Sequence, residues 1–437
     1  MPPKRMSKQK RGNKAAAGAT VPKRPKIEHR SLPNVIGEVL THGEGDTGQL
    51  GLGENILGRK RPAKVDLPAN MVQVCAGGMH TVCLTATGEV YSFGCNDEGA
   101  LGRNTSVEGS ETRPGKVDVP GHVVMLSAGD SHTAALLDNG QVYAWGNFRD
   151  GNGRMGLFTA GQQENLPVPL PIDIPMVKIA SGGNHLVCLS TDSNIYTCGC
   201  AEQGQLGRVA QCFSNRGGRK GLDYVLKPNI VRCLRYKTKR TASFSDIWTG
   251  QDFTYAEESI SKTVYGWGLN NYCQLGLTDM NNRYVPARLL CYSDEKKWLS
   301  IEGGIHHTVS LDENGKVYTH GRGDYGRLGL GKDCQHVLVP TMVIGIRSET
   351  CTGIAAGTCV SFAVCQDGKM YAWGMGTSKQ LATGEEDDEC LPVVMEGKQL
   401  ETRAGVSISA GGQHTVILAR EKPEDSKDSK DFKRECI

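Results

Sequence analysis

The sequence has no long uninterrupted apolar run, which excludes a helical membrane span of about 18 consecutive apolar residues. The N-terminus is too basic and polar to supply the apolar core of a secretory signal peptide. Aromatic residues make up only 6% of the chain, whereas glycine is abundant at 56 of 437 residues. Because glycine concentrates in tight turns, we expect a soluble protein with many turns.

Several chemical motifs are missing as well. The sixteen cysteines include no Cys-x-x-Cys pair, so we expect reduced, mostly buried thiols and no metal site. The sequence has no Gly-x-x-x-x-Gly-Lys-Ser/Thr phosphate loop and no Gly-x-Ser-x-Gly nucleophile elbow. We therefore expect no cofactor and no bond-making chemistry.

Negative charge is scarce in two segments. Residues 1–30 and residues 208–240 each contain ten Lys or Arg and one acidic residue, a charge of +9 apiece. The whole chain carries +3, which leaves −15 for the rest. An acidic body with two basic appendages can bind two unlike partners, one polyanionic and one basic.

Two short motifs alternate along the body, and each occurs seven times. The first is a strand that ends in glycine and is followed by a polar turn and Leu-Gly; its strand glycines are Gly43, Gly94, Gly146, Gly199, Gly268, Gly321 and Gly374. The second is small-Gly-x-x-His-Thr before an apolar strand, with its histidine position at His80, His132, His185, Phe253, His307, Val360 and His414. One period near 52 residues therefore governs the body, and the single long interval contains the basic segment 208–240.

The period predicts the fold. Short strands rich in Val, Ile and Tyr, separated by Gly, Asn and Asp, at about four strands per 50 residues, are typical of a β-propeller blade. We predict an all-β, seven-bladed propeller at 31–420. The chain begins with an unpaired first motif and ends with an unpaired second motif, so strands at 406–419 should complete a composite blade with 35–50. Residues 1–30 and 421–437 are predicted to be disordered tails.

The paired motifs Gly-x-x-x-x-Gly-Gln-Leu-Gly and Ala-Gly-Gly-x-His-Thr resemble the repeats of the regulator of chromosome condensation family of seven-bladed propellers. Three finer features resemble the chromatin-bound members that exchange guanine nucleotide on the small GTPase Ran. These features are the basic N-terminal tail, the irregular stretch 145–153 and the stretch 208–220. The resemblance implies Ran as a partner and a nuclear, chromosome-associated protein; we expect a monomer without membrane contact.

By position in the motifs, the resemblance implies a Ran-binding set. Its members are Asp46, His80, Asp130, Asn184, Arg208, His306 and His414, together with a hairpin wedge in which Phe148 is the buttress and Arg149, Asp150, Gly151 and Asn152 form the tip. The alternative for the aspartates and asparagines is turn chemistry, because such side chains satisfy backbone amides. The alternative for the wedge is an ordinary long hairpin.

The five histidines at one repeat position are better explained by packing than by metal binding. Equivalent positions in successive blades lie on a ring around the propeller axis, too far apart to share one ion at bond lengths of about 2 Å. The exchange of two of them for Phe253 and Val360 also favours a packing role.

Asn184 departs from the family pattern, in which we expect an aspartate immediately before this repeat's histidine. If that carboxylate acts by its charge, exchange is weaker here; if it acts as a hydrogen-bond acceptor, asparagine replaces it in part. The sequence predicts that Asn184→Asp raises the exchange rate. Ala382, in place of the glycine after Leu381, is a smaller departure.

The basic appendages have their own expected partners. Two clusters in the tail form a bipartite nuclear-import pattern that also suits DNA phosphates: Lys4, Arg5, Lys8, Lys10, Arg11, Lys23, Arg24 and Lys26. The resemblance implies methylation at Pro2 after removal of Met1. It also implies that Ser214, Arg216, Arg219 and Lys220 contact the acidic patch of the histone octamer, since arginine pairs with carboxylates through two donors.

Three other functions stay open from the sequence. A chromatin-binding scaffold that has lost exchange is the first alternative, and the neutral Asn184 is compatible with it. A propeller enzyme is the second, although no metal or nucleophile motif supports it. A light-sensing relative is the third, and five tryptophans placed mostly in blade motifs do not favour it.

Overall fold

The strands of this computed structural model are short and antiparallel. The structure describes residues 35–423, except 69, 215–220, 236–237, 239 and 293–295. The strands in this part of the chain are β1 (Glu38–Glu44), β2 (Gly58–Lys64), β3 (Met71–Ala76), β4 (His80–Thr85), β5 (Val90–Gly94), β6 (Gly115–Val117), β7 (Val123–Ala128), β8 (His132–Leu137), β9 (Val142–Gly146), β10 (Phe148–Asp150), β11 (Gly153–Gly156), β12 (Glu164–Pro169), β13 (Met176–Ser181), β14 (His185–Ser190), β15 (Ile195–Gly199), β16 (Asn229–Ile230), β17 (Phe244–Thr249), β18 (Phe253–Glu258), β19 (Val264–Gly268), β20 (Arg283–Arg288), β21 (Trp298–Gly303), β22 (His307–Asp312), β23 (Val317–Gly321), β24 (Val337–Met342), β25 (Cys351–Ala356), β26 (Val360–Cys365), β27 (Met370–Gly374), β28 (Glu389–Val394), β29 (Arg403–Ala410) and β30 (His414–Glu421).

The helical segments are few and short. Within the described residues they are α1 (Gln211–Ser214), α2 (Leu222–Leu226) and α3 (Lys398–Glu401), with 3-10 turns at Ser110–Thr112, Leu290–Tyr292, Asp324–Gly326 and Ile344–Ile346. No helix of the described chain is long and apolar enough to cross a lipid bilayer.

The described strands form seven four-stranded sheets and one separate hairpin, β10–β11. We number the blades along the chain: blade 1 is β3–β6, blade 2 is β7, β8, β9 and β12, blade 3 is β13–β16, blade 4 is β17–β20, blade 5 is β21–β24, blade 6 is β25–β28, and blade 7 is β29, β30, β1 and β2. The first strand of each blade packs on the first strand of the next, and these seven strands surround a central channel. The predicted seven-bladed propeller is confirmed.

Blade 7 joins the two ends of the described chain. Strand β1 pairs antiparallel with β30, from Glu38 opposite Ala419 to Gly43 opposite His414. This pairing confirms the composite blade that the order of the motifs predicts. It leaves neither strand at a free sheet edge, because β29 and β2 cover the two sides.

The basic segment 208–240 differs from a plain insertion. It contains α1, α2 and also β16, the outer strand of blade 3, which pairs with β15 at Tyr196 opposite Ile230. Among the described residues of this segment, only Asn229 and Ile230 belong to the sheet. The long interval between motifs therefore reflects an extended connection between the third and fourth strands of this blade.

A hydrogen-bond relay between neighbouring blades explains the His-Thr motif. Nε2 of His80 donates to Oγ1 of Thr133 in the next blade at 2.9 Å, and the Thr133 hydroxyl donates to the carbonyl of Ala100 at 3.0 Å. The same relay links His185 to Thr254, His307 to Ser361 and His414 to Thr81. The expected packing role of these histidines agrees with this arrangement, which joins adjacent blades through their buried ends.

Candidate functional site

One end of the propeller gathers most of the predicted site residues. In every blade the glycine that ends the third strand pairs with the histidine position that begins the second, for example Gly199 with His185 and Gly268 with Phe253. The loop before the second strand and the loop after the third strand therefore emerge at the same end. Asp46, Asp130, the hairpin β10–β11, Asn184 and His306 all lie on these loops.

At this end the central channel opens into an acidic cavity of about 650 Å³. Four carboxylates line it, namely Asp130, Asp150, Glu202 and Asp252. Arg149 and Asn184 also border the cavity. We call these four carboxylates the acidic mouth; it offers a basic partner a concentrated negative charge.

Asp130 is held by two amide side chains at the acidic mouth. Nε2 of Gln251 and Nδ2 of Asn184 both donate to its Oδ2, at 2.5 and 3.2 Å. Burial raises the pKa of Asp130 above its usual value, although these two hydrogen bonds and the nearby Arg149 charge oppose the shift. Asp130 is thus a fixed acceptor at a position where three other repeats have glycine.

Asn184 connects Asp130 to the hairpin. Its Nδ2 donates to Asp130, and its Oδ1 accepts the backbone N–H of Arg149 at 2.9 Å. An aspartate at this position would keep the second bond, because a carboxylate also accepts. It would lose the first bond and set two carboxylates against each other.

Asp252 belongs to the acidic mouth but was not predicted from the sequence. Burial, together with the charges of Asp130 and Glu202, raises its pKa to about 6, and Nε2 of Gln205 donates to its Oδ1 at 3.1 Å. A signal did exist: Asp252 stands one repeat after Asn184 at the same motif position, directly before Phe253. Comparing that position across all seven repeats would have found it.

The wedge predicted at 148–152 is the hairpin β10–β11. Phe148 is fully buried, as expected for a buttress, and its ring packs edge-on against that of His132 at a centroid distance of 4.6 Å. His132 is free for this contact because the next blade carries Leu186 where the relay needs a hydroxyl. Within the described residues both ring nitrogens of His132 lack a hydrogen-bond partner.

His80 and His414 differ from the expectation that they face the GTPase. Their exposed fractions are 1% and 0%, and both rings belong to the relay between blades. The structure therefore gives these two histidines a packing role, and their contact with the GTPase stays a prediction.

Arg208 also differs from the expected contact residue. Its guanidinium group is partly buried and donates to the backbone carbonyls of Thr197, Tyr224, Val225 and Lys227. These bonds fasten the segment around α2 to blade 3. Arg103 makes the corresponding bonds in blade 1, so the position serves the repeat itself.

Asp46 and His306 lie on the same end of the propeller, away from the hairpin. Asp46 is exposed and accepts a hydrogen bond from Nε2 of Gln49 at 3.1 Å. His306 is half-buried against the ring of Tyr272 at 4.9 Å, and burial together with Arg322 and Arg327 lowers its pKa to about 4. Both residues can reach a large partner that covers this face.

The remaining predicted residues lie mostly outside the described part of the chain. Ser214 ends α1, and its hydroxyl donates to the carbonyl of Ala210 at 3.2 Å. Arg216, Arg219 and Lys220 are not among the described residues, nor are Pro2 and the basic residues of the N-terminal tail. Gln211 and Ser214 of α1 share a cavity with Gly151 and Asn152, so the wedge and the insertion lie on the same side of the molecule.

No metal centre is found among the described residues. No group of three or more His, Cys, Asp or Glu side chains in that part of the chain is arranged to hold an ion. The described cysteines are all free thiols.

Fold and site together define a class: a seven-bladed propeller with an acidic channel mouth beside a protruding hairpin. The family model of the RCC1-like domain matches residues 38–417, and the chain belongs to the regulator of chromosome condensation family. A human relative named Regulator of chromosome condensation is 49% identical over 425 residues, which cover 97% of this chain and 100% of that protein.

Two comparisons with yeast extend this result. The Saccharomyces cerevisiae guanine nucleotide exchange factor SRM1 is 30% identical over 87% of this chain and 86% of its own length. The crystal structure of Prp20p from the same organism, described together with its binding properties to Gsp1p and histones, has a TM-score of 0.81 at 27% identity. That comparison covers 91% of this chain and 94% of Prp20p.

Proposed function

We propose that this protein is a guanine-nucleotide exchange factor for the small GTPase Ran that works in the nucleus while bound to chromatin. The observation that carries the proposal is the hairpin β10–β11, which hydrogen bonds from Asn184 and Glu202 hold beside the acidic mouth. The names of the human and yeast relatives support it. Exchange needs no bond chemistry, since an exchange factor binds the nucleotide-free GTPase more tightly than the loaded one.

The acidic mouth and the hairpin have separate tasks in this mechanism. Asp130, Asp150, Glu202 and Asp252 attract a basic surface of the GTPase and speed the encounter. The hairpin tip at Gly151 and Asn152, which is exposed, presses on the GTPase near the bound nucleotide. If the two together lower the release barrier by about 7 kcal/mol, release accelerates roughly 10⁵-fold.

The direct test is the release of fluorescent GDP from Ran, with and without catalytic amounts of this protein. We expect acceleration by several orders of magnitude. If release does not accelerate while nucleosome binding remains, the alternative of a chromatin-binding scaffold without exchange activity is correct.

Asn184→Asp is expected to raise the exchange rate by roughly three- to tenfold at low salt, because the attraction from an added carboxylate in the acidic mouth outweighs the lost hydrogen bond to Asp130. The gain should fade at high salt, since screening weakens steering between charges. Stopped-flow release of fluorescent GDP at two salt concentrations measures both effects. Asn184→Ala is the matched control, because it removes the bonds to Asp130 and Arg149 without adding a charge. An Asn184→Asp variant with the parental exchange rate would contradict the charge mechanism.

Chromatin attachment is assigned to the two basic appendages. The insertion carries Arg216 and Arg219 beside glycines, and arginine pairs with carboxylates through two parallel donors. We propose that they bind the histone acidic patch and that the tail binds nucleosomal DNA and import receptors.

Arg216→Ala is expected to weaken nucleosome binding about tenfold while exchange on free Ran stays unchanged. A gel-shift titration with nucleosomes and a parallel GDP-release assay separate the two properties. Equal nucleosome affinity in the variant and the parent would refute the assignment.

A further inference from the structure

Glu98 contacts both strands of the hairpin wedge, although it belongs to the loop of the preceding blade. Its Oε2 accepts hydrogen bonds from Nδ2 of Asn147 and from Nε of Arg154, both at 2.8 Å, and its Oε1 contacts the guanidinium group of Arg149. Arg149 and Arg154 are opposite each other in the β10–β11 ladder. One carboxylate therefore ties together both sides of a single rung of the hairpin.

The burial of Glu98 makes these bonds strong. Its side chain is only 10% exposed, whereas those of Arg149 and Arg154 are 47% and 58% exposed. Burial alone would raise the pKa of Glu98, but the hydrogen bonds from Asn147 and Arg154 and the two guanidinium charges lower it below its usual value overall. The group is therefore a charged, nearly dehydrated anchor, and charge-assisted bonds of this kind are stronger than bonds between neutral groups.

The opposite side of the hairpin is held by a different kind of contact. Oε2 of Glu202 accepts the backbone N–H of Gly151 at 3.0 Å, and Oδ1 of Asn184 accepts that of Arg149. These bonds use backbone groups, so they hold the hairpin whatever its side chains are. Among the contacts of Glu98, Glu202 and Asn184 with the hairpin, those of Glu98 are the ones that depend on the arginine side chains.

We propose that Glu98 is a positioning residue for exchange: it fixes the angle at which the hairpin projects from the propeller. The proposal rests on the exchange function proposed above. Glu98 contacts Asn147 and the Arg149–Arg154 rung but not Gly151 or Asn152, the exposed residues of the tip. It therefore acts through Arg149 and Arg154. Because a small misplacement of an acting group slows a reaction strongly, releasing this anchor should lower the rate at saturating GTPase more than the affinity for it.

The test compares Glu98→Gln with the parent in steady-state release of GDP from Ran. The glutamine keeps the size of the side chain and an acceptor oxygen but loses the charge. We expect kcat to fall roughly 10-fold with KM changed by less than about threefold. Glu98→Asp, which keeps the charge on a shorter stem, should recover part of the loss.

A second readout follows the hairpin directly. Trypsin cleaves after arginine, and released side chains of Arg149 and Arg154 should make the hairpin several-fold more susceptible to limited proteolysis in Glu98→Gln. The matched control is Glu89→Gln, which removes a carboxylate of the same blade that pairs with Lys116 at the far end of the propeller. This control should leave both readouts at parental values.

The outcomes are distinguishable. Faster cleavage with reduced kcat supports the positioning role. Parental cleavage in Glu98→Gln, or faster cleavage with parental kcat, overturns it. If the parent itself does not accelerate GDP release, the proposed function fails, while proteolysis still reports whether Glu98 anchors the hairpin.

Discussion

Shortening the hairpin wedge is expected to reduce the exchange rate on Ran at least 100-fold. In the proposed variant, residues 149–154 are replaced by Asn-Gly, a dipeptide suited to a two-residue hairpin turn. Phe148 and Met155, both buried, stay in place, so the core of blade 2 is kept. The variant loses the exposed tip and Asp150, and it keeps the other three carboxylates of the acidic mouth.

The measurement is kcat for release of fluorescent GDP, together with the thermal unfolding midpoint. The midpoint should change by only a few degrees, because the deleted residues are mostly exposed. A variant that exchanges at the parental rate would show that the hairpin is an ordinary connection between β9 and β12. A large fall in the thermal unfolding midpoint would indicate instead that the hairpin has a structural role.

Acid is expected to destabilise the propeller strongly, because its buried histidines are neutral. Burial lowers the pKa of each to about 3 or 4, and the set comprises His42, His80, His132, His185, His307, His320 and His414. In the unfolded chain each histidine titrates near 6.5, so below that pH the unfolded state binds more protons. Their contribution to stability is complete above pH 6.5 and is lost as the pH falls towards 4.

The size of this effect follows from the shifts. At pH 5 each buried histidine lowers the free energy of unfolding by about 2 kcal/mol relative to pH 7.5. The whole set therefore lowers it by on the order of 10 kcal/mol. Asp252 opposes this by about 1 kcal/mol, since its pKa is raised to about 6 and it gains a proton in the folded state. The net loss is comparable with the whole stability of a typical domain.

Urea unfolding at pH 7.5, 6.0 and 5.0, followed by tryptophan fluorescence, measures the loss. His132→Phe is the matched variant, because Phe253 fills the same repeat position in blade 4. It removes a ring whose two nitrogens lack partners within the described residues, so it should be more stable at pH 7.5 by about 1 kcal/mol and less sensitive to acid. Equal stability of the parent at pH 7.5 and 5.0 would contradict the prediction.

The architecture was predictable from the sequence because its causes are local and repeat seven times. The glycine of the Leu-Gly pair in the first motif illustrates this. Gly102 and Gly207 have positive φ, and a side chain at either position would collide with a tryptophan of the next blade, Trp145 and Trp267 respectively. Ala382 tolerates the same conformation, at φ 56°, where the corresponding side chain of the next blade is His42. Such turn and packing requirements leave a pattern that spacing alone reveals.

The chemistry of the site was only partly predictable. Asp130, Asn184 and the hairpin were identified because they interrupt the repeat pattern or match the family motif. Glu98, Glu202 and Asp252 were missed, since each resembles an ordinary turn residue in its own repeat. The burial of His80 and His414 and the backbone bonds of Arg208 were not foreseen, because a motif position does not reveal how much of a side chain is exposed; the GTPase contact of all three stays a prediction.

The sequence by itself determined the number of blades and the way the ring closes, but not the end of the propeller at which each loop emerges. The tertiary structure alone decided which side chains meet there. Glu98, Arg149 and Glu202 are about 50 residues apart along the chain, and the side-by-side packing of blades 1, 2 and 3 brings their loops together at the hairpin. Burial and charge at that mouth arise from neighbouring blades, so no single repeat carries the information that sets them.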